Sequence, residues 1–399
     1  MGFILFDAAP AGHSREASSQ ALAIYTLIVQ PIEESVDWYR FLARPRLPIA
    51  DSAAEKILHG KSILVTGAGG SIGLSLAARL ARLSPHKLVL LEASESHLHE
   101  LQSRFDSSQS AGDRVCYLGS VTDETLLDEI FAQHEPEWIF HAAAHKHVLL
   151  LEDHPLAALA NNVLGTYALC MRAEAGRSRM VLLSTDKAAA PTSMMGATKR
   201  VAELIVLAMG GTAVRLGNVL ASRGSVVETF ARQIAQGKPI TITDPDAGRF
   251  WLTVEESFEL LISAATKAND SETDATLLVP DLVRTHLVGD LAKFVVSQLS
   301  PDREPLVEFI GLGPGEKKLE VLWAENEEPA SESSNGLRKI HTQLIPRKQL
   351  EFWLRELRLA IGRRDLAEAL TALLSLIPDY TPSQRVIANV KQSLNQVQA

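Results

Sequence analysis

The stretch Ile63-Leu-Val-Thr-Gly-Ala-Gly-Gly-Ser-Ile-Gly73 decides the fold of this chain. It opens with a short apolar run typical of a buried strand. Three glycines follow at G-x-x-G-x-x-G spacing, at Gly67, Gly70 and Gly73. Glycine permits a tight turn, and a helix that begins near Ser71 would point its free N–H groups at a bound anion. The stretch therefore predicts a strand, a turn and a helix with an anion site between them.

The same alternation of strand and helix continues along the chain. Further β-branched or apolar runs are separated by segments of helical length, such as 71–83 and 155–174. The predicted strands are 63–65, 88–91, 115–118, 138–141, 180–184 and 213–216. This pattern predicts an α/β fold with a Rossmann-type doubly wound parallel sheet.

Composition changes along the chain predict its domain organisation. We expect an N-terminal appendage with a helix near Ala21, a dinucleotide-binding domain, a smaller substrate-binding portion interleaved with it, a linker and a helical tail. Their predicted ranges are 1–58, 59–216, 217–324, 325–336 and 337–399. The linker is acidic, Ser-rich and contains proline. Within the tail, 345–376 predicts one amphipathic helix, with Leu350, Trp353, Leu354 and Leu357 at helical spacing.

The overall composition argues against several classes of partner. The net charge of -9 disfavours nucleic acid, because phosphate binding needs clustered Lys and Arg. Cys116 and Cys170 form no metal-ligand spacing and no disulfide framework, so we expect no metal and a reducing, cytoplasmic location. The apolar runs near the N-terminus are shorter than the roughly 18 residues that span a bilayer, so we expect no transmembrane segment.

An acidic residue closes the second predicted strand. Glu92 stands about 20 residues after the glycine loop, where a dinucleotide-binding fingerprint has a carboxylate for the ribose hydroxyls. Its negative charge would repel a 2′-phosphate. NAD is therefore the expected cofactor, with NADP left open.

A second motif follows the fifth predicted strand. It reads Ser184-Thr-Asp-Lys-Ala188 and continues to Met195-Gly-Ala-Thr-Lys-Arg200. Short-chain dehydrogenases have a serine at the end of this strand and Tyr-x-x-x-Lys on the next helix, with both helix residues on one face. Ser184 and Lys199 match that layout, whereas Met195 takes the tyrosine position.

These motifs resemble the polysaccharide-biosynthesis (CapD-like) UDP-N-acetylglucosamine 4,6-dehydratases, a branch of the extended short-chain dehydrogenases. The resemblance covers residues 60 to 330, and one branch of the family has methionine in the tyrosine position. It also rests on His141-Ala-Ala-Ala-His-Lys-His-Val148, Arg215-Leu-Gly-Asn-Val219, Ser222-Arg-Gly-Ser-Val226 and Arg249-Phe-Trp-Leu-Thr253. It implies an NAD(P)-dependent lyase that converts a UDP-sugar to its 4-keto-6-deoxy product.

The resemblance implies a task for each catalytic residue. Hydride leaves sugar C4 for the cofactor, water departs across C5 and C6, and hydride returns to C6. Asp186 is implied as the acid and Lys187 as the base. Ser184 would donate to the C4 oxygen, Lys199 would hold the nicotinamide ribose, and Thr185 is a further substrate contact.

Met195 cannot exchange a proton, because a thioether has none. Asp186, Lys187 or a water molecule therefore stay open as the group that takes the proton of the C4 hydroxyl.

The resemblance also implies two sets of binding residues. The cofactor set is Gly67, Gly69, Gly70, Ser71, Ile72, Gly73, Glu92, Val121, Ala142, Ala143 and Lys199. The substrate set is Lys146, Asn162, Asn218, Arg223 and Arg249. Arginine suits a diphosphate because its fork pairs two oxygens. Gly313 stands where the family has arginine and Ser120 where it has aspartate, so we expect weakened contacts there. We also expect a homo-oligomer.

Three other functions stay open. A dehydratase that also epimerises C5 would differ in product stereochemistry. A UDP-sugar 4-epimerase would have no task for the pair of Asp186 and Lys187. A catalytically inactive scaffold would bind the cofactor without binding a UDP-sugar.

Overall fold

The computed structural model describes residues 36–48, 50, 52–106, 113–270, 275–302 and 306–397. Its strands are β1 (Ser62–Thr66), β2 (Lys87–Glu92), β3 (Arg114–Leu118), β4 (Trp138–His141), β5 (Arg179–Thr185), β6 (Thr212–Leu216), β7 (Asn218–Val219), β8 (Ile240–Ile242), β9 (Gly248–Arg249), β10 (Trp251–Leu252), β11 (Thr276–Pro280), β12 (His286–Leu287), β13 (Val307–Phe309), β14 (Glu328–Ser334) and β15 (Leu337–His341). Nine of them form one sheet in the order β14-β15-β11-β6-β5-β4-β1-β2-β3.

The seven strands from β3 to β11 pair in parallel, which confirms the Rossmann-type sheet and its six predicted strands. Ile63 and Val65 of β1 belong to one hydrophobic core and Leu64 to the larger one, called the main core below, because alternate residues of a strand face opposite sides. The order of the strands reverses between β1 and β4. Open α/β sheets bind ligands at such a point.

Helices cover both faces of this sheet. They are α1 (Trp38–Leu42), α2 (Ser52–Leu58), α3 (Ser71–Ala81), α4 (Glu95–Asp106), α5 (Glu124–His134), α6 (Val148–Asp153), α7 (Pro155–Ala158), α8 (Gly165–Ala175), α9 (Met194–Ala208), α10 (Val226–Ala235), α11 (Val254–Asp270), α12 (Val288–Leu299), α13 (Arg347–Gly362), α14 (Leu366–Leu376) and α15 (Gln384–Val397). A π-helical turn, Leu159–Leu164, joins α7 to α8, and a 3₁₀ turn, Asp186–Ala188, follows β5.

The predicted linker, 325–336, is instead part of a β-hairpin. Strand β14 pairs with β15, and β15 pairs antiparallel with β11 at the edge of the sheet. Asn335 and Gly336 have positive φ (51° and 74°), as a tight two-residue hairpin turn requires. The polar composition that predicted a linker fits an exposed edge strand equally well.

The described part of the predicted appendage, from residue 36 onward, packs into the fold: Ala54 and Leu58 lie in the core of Ile63 and Val65, and residues 38–42 lie in a third, smaller core. Trp38 and Phe41 are buried there. Arg44 donates two hydrogen bonds to the carboxylate of Glu256 on α11, at 2.6 and 2.8 Å. The helix predicted near Ala21 lies outside the described residues.

The predicted helix of the tail is two helices, α13 and α14. The chain turns at Arg364, whose φ is 57°, and Asp365 then caps α14 by accepting from the Glu368 N–H at 3.0 Å. Leu350, Leu354 and Leu357 of α13 are buried in the main core, while Trp353 is half-buried. The tail therefore packs on its own chain.

No helix among the residues described here is both long enough and apolar enough to cross a membrane.

Candidate active site

The glycine loop, residues 67–73, connects β1 to α3 and lies against backbone on two sides. Gly67 has φ +66°, and a Cβ placed on it would lie 2.7 Å from the Ala143 Cα. A Cβ on Gly73 would lie 2.1 Å from the Gly67 carbonyl oxygen. Only glycine fits at both positions. Helix α3 begins after Gly70 without a side-chain cap, which leaves N–H groups of its first turn for an anion.

Glu92 ends β2 beside this loop, as predicted. Its carboxylate is buried and accepts from the Gly69 N–H at 2.8 Å and the Ser94 N–H at 2.9 Å. An anion-ready helix start and a carboxylate at the end of the next strand fit a dinucleotide such as NAD. Ala142 and Ala143 also adjoin this loop at the end of β4. Val121, also predicted for the cofactor, is buried in the main core.

A chain of buried hydrogen bonds holds β4 next to β1. His141 contacts the Thr66 hydroxyl at 2.7 Å and the Thr166 hydroxyl at 2.9 Å. Burial, together with the charge of Lys199, lowers the pKa of His141 to about 3, so its ring is neutral. Burial also lowers the pKa of Lys199 to about 8, partly offset by Glu203. Lys199 is thus a buried amine whose pKa lies well below that of an exposed lysine.

Three consecutive residues at the end of β5 form the centre of the site. Asp186 is fully buried, and its Oδ1 accepts from the Thr185 hydroxyl at 3.0 Å and the Lys187 Nζ at 2.9 Å. Its Oδ2 is buried and has no hydrogen-bond partner in the described chain. Lys187 also donates to the Asn218 Oδ1 at 2.8 Å. A carboxylate and an amine are therefore in contact, and one carboxylate oxygen is left to bind a proton or a substrate.

Glu320 is a second buried carboxylate in this site, and sequence reasoning missed it. Its Oε1 lies 3.7 Å from the Lys187 Nζ, and its Oε2 lies 3.4 Å from the Lys317 Nζ without accepting a hydrogen bond. Burial disfavours the Lys187 ammonium, but Asp186 and Glu320 outweigh this and raise its pKa. The only signal in the sequence was the closeness of Glu320 to the Gly313-Pro-Gly-Glu-Lys317 stretch.

Ser184, predicted to donate to the sugar C4 oxygen, points into a buried ion network instead. Its hydroxyl donates to the Glu203 Oε1 at 2.6 Å. Glu203 also pairs with Arg215 and Arg200. Because neighbouring residues of a strand face opposite ways, Thr185 and not Ser184 accompanies Asp186.

The predicted substrate residues fall into three groups. Asn218 and Arg249 lie at the centre of the site, since Asn218 contacts Lys187 and the charge of Arg249 acts to lower the Lys187 pKa. Asn162 is buried and structural: its amide bonds both backbone groups of His145, at 2.8 and 3.0 Å.

Arg223 and Lys146 form the third group, beside the glycine loop. The Arg223 Nη1 donates to the Gly69 carbonyl at 3.2 Å, and Lys146 donates to the Arg223 carbonyl at 2.6 Å.

Met195 is buried in the main core, four residues before Lys199 on α9. Gly313 packs on Leu149: a Cβ at position 313 would lie 2.5 Å from the Leu149 Cδ2. An arginine there would require that leucine side chain to move.

Comparison with known proteins finds a matching family model and several related proteins. Residues 63–342 match the family model described as polysaccharide biosynthesis protein. The capsular polysaccharide biosynthesis protein CapD of Staphylococcus aureus is 36% identical over 298 residues, which are 72% of this chain and 49% of CapD. The chain thus spans about half the length of that relative.

Two shorter relatives carry the names of different reactions. The inverting UDP-N-acetylglucosamine 4,6-dehydratase of Campylobacter jejuni (strain 81-176) is 30% identical over 280 residues, 67% of this chain and 78% of that protein. The UDP-glucose 4-epimerase of Rickettsia massiliae is 30% identical over 281 residues, 67% and 79%. Among solved structures, Pen from Bacillus thuringiensis superposes with a TM-score of 0.61 at 27% identity, over 67% of this chain and 84% of Pen.

Proposed function

The chain belongs to the polysaccharide biosynthesis protein family, and on that premise we propose that it is an NAD(P)-dependent 4,6-dehydratase of UDP-N-acetylglucosamine or a similar UDP-sugar. The observation that carries the proposal is the 2.9 Å contact between Asp186 and Lys187 at the end of β5. Elimination of water across C5 and C6 needs an acid and a base within reach of one sugar ring. Adjacent residues in contact supply both.

Burial opposes the charged form of Lys187, but its carboxylate neighbours raise its pKa, so the resting side chain is an ammonium. One proton transfer along the hydrogen bond from Lys187 to Asp186 leaves a neutral amine and a protonated carboxyl. The neutral amine can remove the C5 proton, and the carboxyl can protonate the departing C6 hydroxyl. A single proton shift thus prepares both catalytic groups.

The glycine loop, Glu92 and Lys199 are the residues that would hold the cofactor. Bound NAD would accept hydride from sugar C4 and would return it to C6. Thr185 takes the role first predicted for Ser184, because its hydroxyl lies beside Asp186. Met195 has no proton to exchange, so Asp186, Lys187 or a water molecule takes up the C4 hydroxyl proton.

The substrate side of the site is built from Asn218 and Arg249. Arg249 uses its Nη1 for the carbonyls of Gly248 and Lys318 at 2.9 and 3.0 Å, and its positive charge suits the diphosphate of a UDP-sugar. The Asn218 Oδ1 accepts from the Lys187 Nζ and so holds the proposed base in place. Asn218 begins β7, directly after β6, and Arg249 ends β9.

A UDP-sugar 4-epimerase is the second candidate, favoured by the relative of that name at the same identity as the dehydratase. An epimerase returns hydride to C4 and needs no base at C5. The close contact between Asp186 and Lys187 favours the dehydratase. Epimerisation at C5 would accompany dehydration if Lys187 returned its proton to the opposite face.

Proton NMR of the protein with UDP-N-acetylglucosamine in deuterated buffer tests the proposal. A dehydratase produces a new C6 methyl signal with deuterium at C5, and the coupling pattern gives the stereochemistry at C5. An epimerase produces a C4 epimer that retains its C6 hydroxyl and its C5 proton. Cofactor binding with an unchanged sugar spectrum across a panel of UDP-sugars would reject the proposal in favour of a scaffold.

A further inference from the structure

Arg223 joins the smaller part of the molecule to the glycine loop. It lies in the loop that follows β7, far along the chain from residues 67–73. Its backbone N–H donates to the Ser71 hydroxyl at 2.9 Å, and its Nη1 donates to the Gly69 carbonyl at 3.2 Å. Both contacts fall where α3 begins. A cation is thereby placed at the helix start that is suited to a phosphate.

The other side of the same guanidinium forms an ion pair with Glu100 on α4. Helix α4 follows β2, whose last residue is Glu92, the carboxylate expected at the adenosine ribose. Arg223 therefore contacts both the glycine loop and the helix next to the predicted adenosine side. The Arg223 side chain is 33% exposed, so it has room to turn towards a ligand.

The loop that carries Arg223 is held in place from behind. Lys146 donates to the Arg223 carbonyl at 2.6 Å. Gly224 has φ +69°, and a Cβ on it would lie 2.8 Å from the His147 ring. The loop is thus packed on residues 146 and 147, which follow β4 on the opposite side of β1 from β2. The backbone at Arg223 is therefore held in place, while its partly exposed side chain can still contact a ligand.

We propose that Arg223 and Glu100 form a strap that closes over the bound dinucleotide, with the guanidinium facing the pyrophosphate and Glu100 holding the strap shut. The contacts with Gly69 and Glu100 use two of the five N–H donors of this guanidinium, so others remain for a phosphate oxygen. This inference rests on the proposed function. A dehydratase of this kind consumes no net cofactor, so slow release of the dinucleotide keeps each enzyme molecule ready for the next substrate. The strap gives Arg223 a cofactor role in place of the predicted substrate contact.

Release of NADH from the full-length protein tests the strap. Stopped-flow fluorescence follows NADH displaced by excess NAD, with NADPH and NADP in parallel. Arg223→Gln removes a charge-assisted contact and is expected to speed release about tenfold or more. Glu100→Gln removes an exposed ion pair and is expected to speed release about two- to fivefold. The exposed residues Arg232 and Glu95, on α10 and α4, provide the matched controls Arg232→Gln and Glu95→Gln, which we expect to leave the rate unchanged.

The Glu100→Gln variant distinguishes a strap made of two residues from an arginine that acts alone. Release from Glu100→Gln at or below the wild-type rate overturns the strap, because an arginine acting alone would be freed to bind the pyrophosphate more tightly. An unchanged rate in Arg223→Gln, with circular dichroism confirming the fold, overturns it as well. Failure of the dehydratase proposal is distinguishable. In that case the wild type gives no methyl product, while the two variants still release NADH faster.

Discussion

The buried ion network behind β5 provides the sharpest test of how this fold is held together. Glu327 is 4% exposed and pairs with Arg215 at 2.6 and 2.9 Å and with Arg200 at 2.9 Å. It also accepts from the Ala324 N–H at 2.9 Å. Glu203 is the other carboxylate of the network, so two glutamates neutralise two arginines. Glu327→Gln would leave one buried guanidinium charge uncompensated.

The size of the effect follows from the pKa of Glu327. Burial opposes its ionisation, but Arg215 and Arg200 lower the pKa from 4.5 to about 2. That difference corresponds to about 3 kcal/mol of stability, in line with the roughly 3–5 kcal/mol lost when one partner of a buried pair is removed. We therefore expect Glu327→Gln to lower the free energy of unfolding by about 3 kcal/mol at pH 7.

Urea unfolding followed by circular dichroism measures this loss, with Glu328→Gln as the control because Glu328 is the exposed neighbour. The folded pKa is depressed, so the contribution of Glu327 is complete above pH 4.5 and is lost as the pH falls towards 2. The difference between wild type and variant should shrink over that range. A loss below about 1 kcal/mol at pH 7, equal to that of an exposed pair, would refute the reasoning.

Three further predictions concern the site. Gly73→Ala should abolish NAD binding in calorimetry while the fold persists, since its Cβ would lie 2.1 Å from the Gly67 oxygen; retained affinity would contradict a rigid loop. Asp186→Asn should slow methyl formation by roughly a hundredfold or more with NAD affinity unchanged, and a near-normal rate would exclude Asp186 as the acid. Glu320→Gln should move the pH midpoint for chemical labelling of Lys187 downward, because one carboxylate that stabilises its ammonium is lost; Glu316→Gln is the control, and an unmoved midpoint would show that Glu320 does not act on Lys187.

The parallel sheet could be predicted from local pattern. Apolar runs of strand length alternate with helical segments, and the burial of both faces of a parallel sheet makes those runs nearly continuous. The glycine loop could be predicted from the sequence equally well, because the close backbone approach at Gly67 and Gly73 admits no other residue. The local pattern predicted a linker at 325–336, where the structure has an edge strand and a hairpin turn, because a polar edge strand and a linker have the same composition.

The sequence by itself determined the backbone around the site, and the tertiary structure alone decided which side chains enter it. Strand alternation says that Ser184 and Thr185 face opposite ways, but only the packing of Glu203 against Ser184 decides which one lies beside Asp186. Arg223 reaches the glycine loop, and Glu320 reaches Lys187, across long stretches of chain. Such contacts depend on how distant elements pack, and no local spacing encodes that.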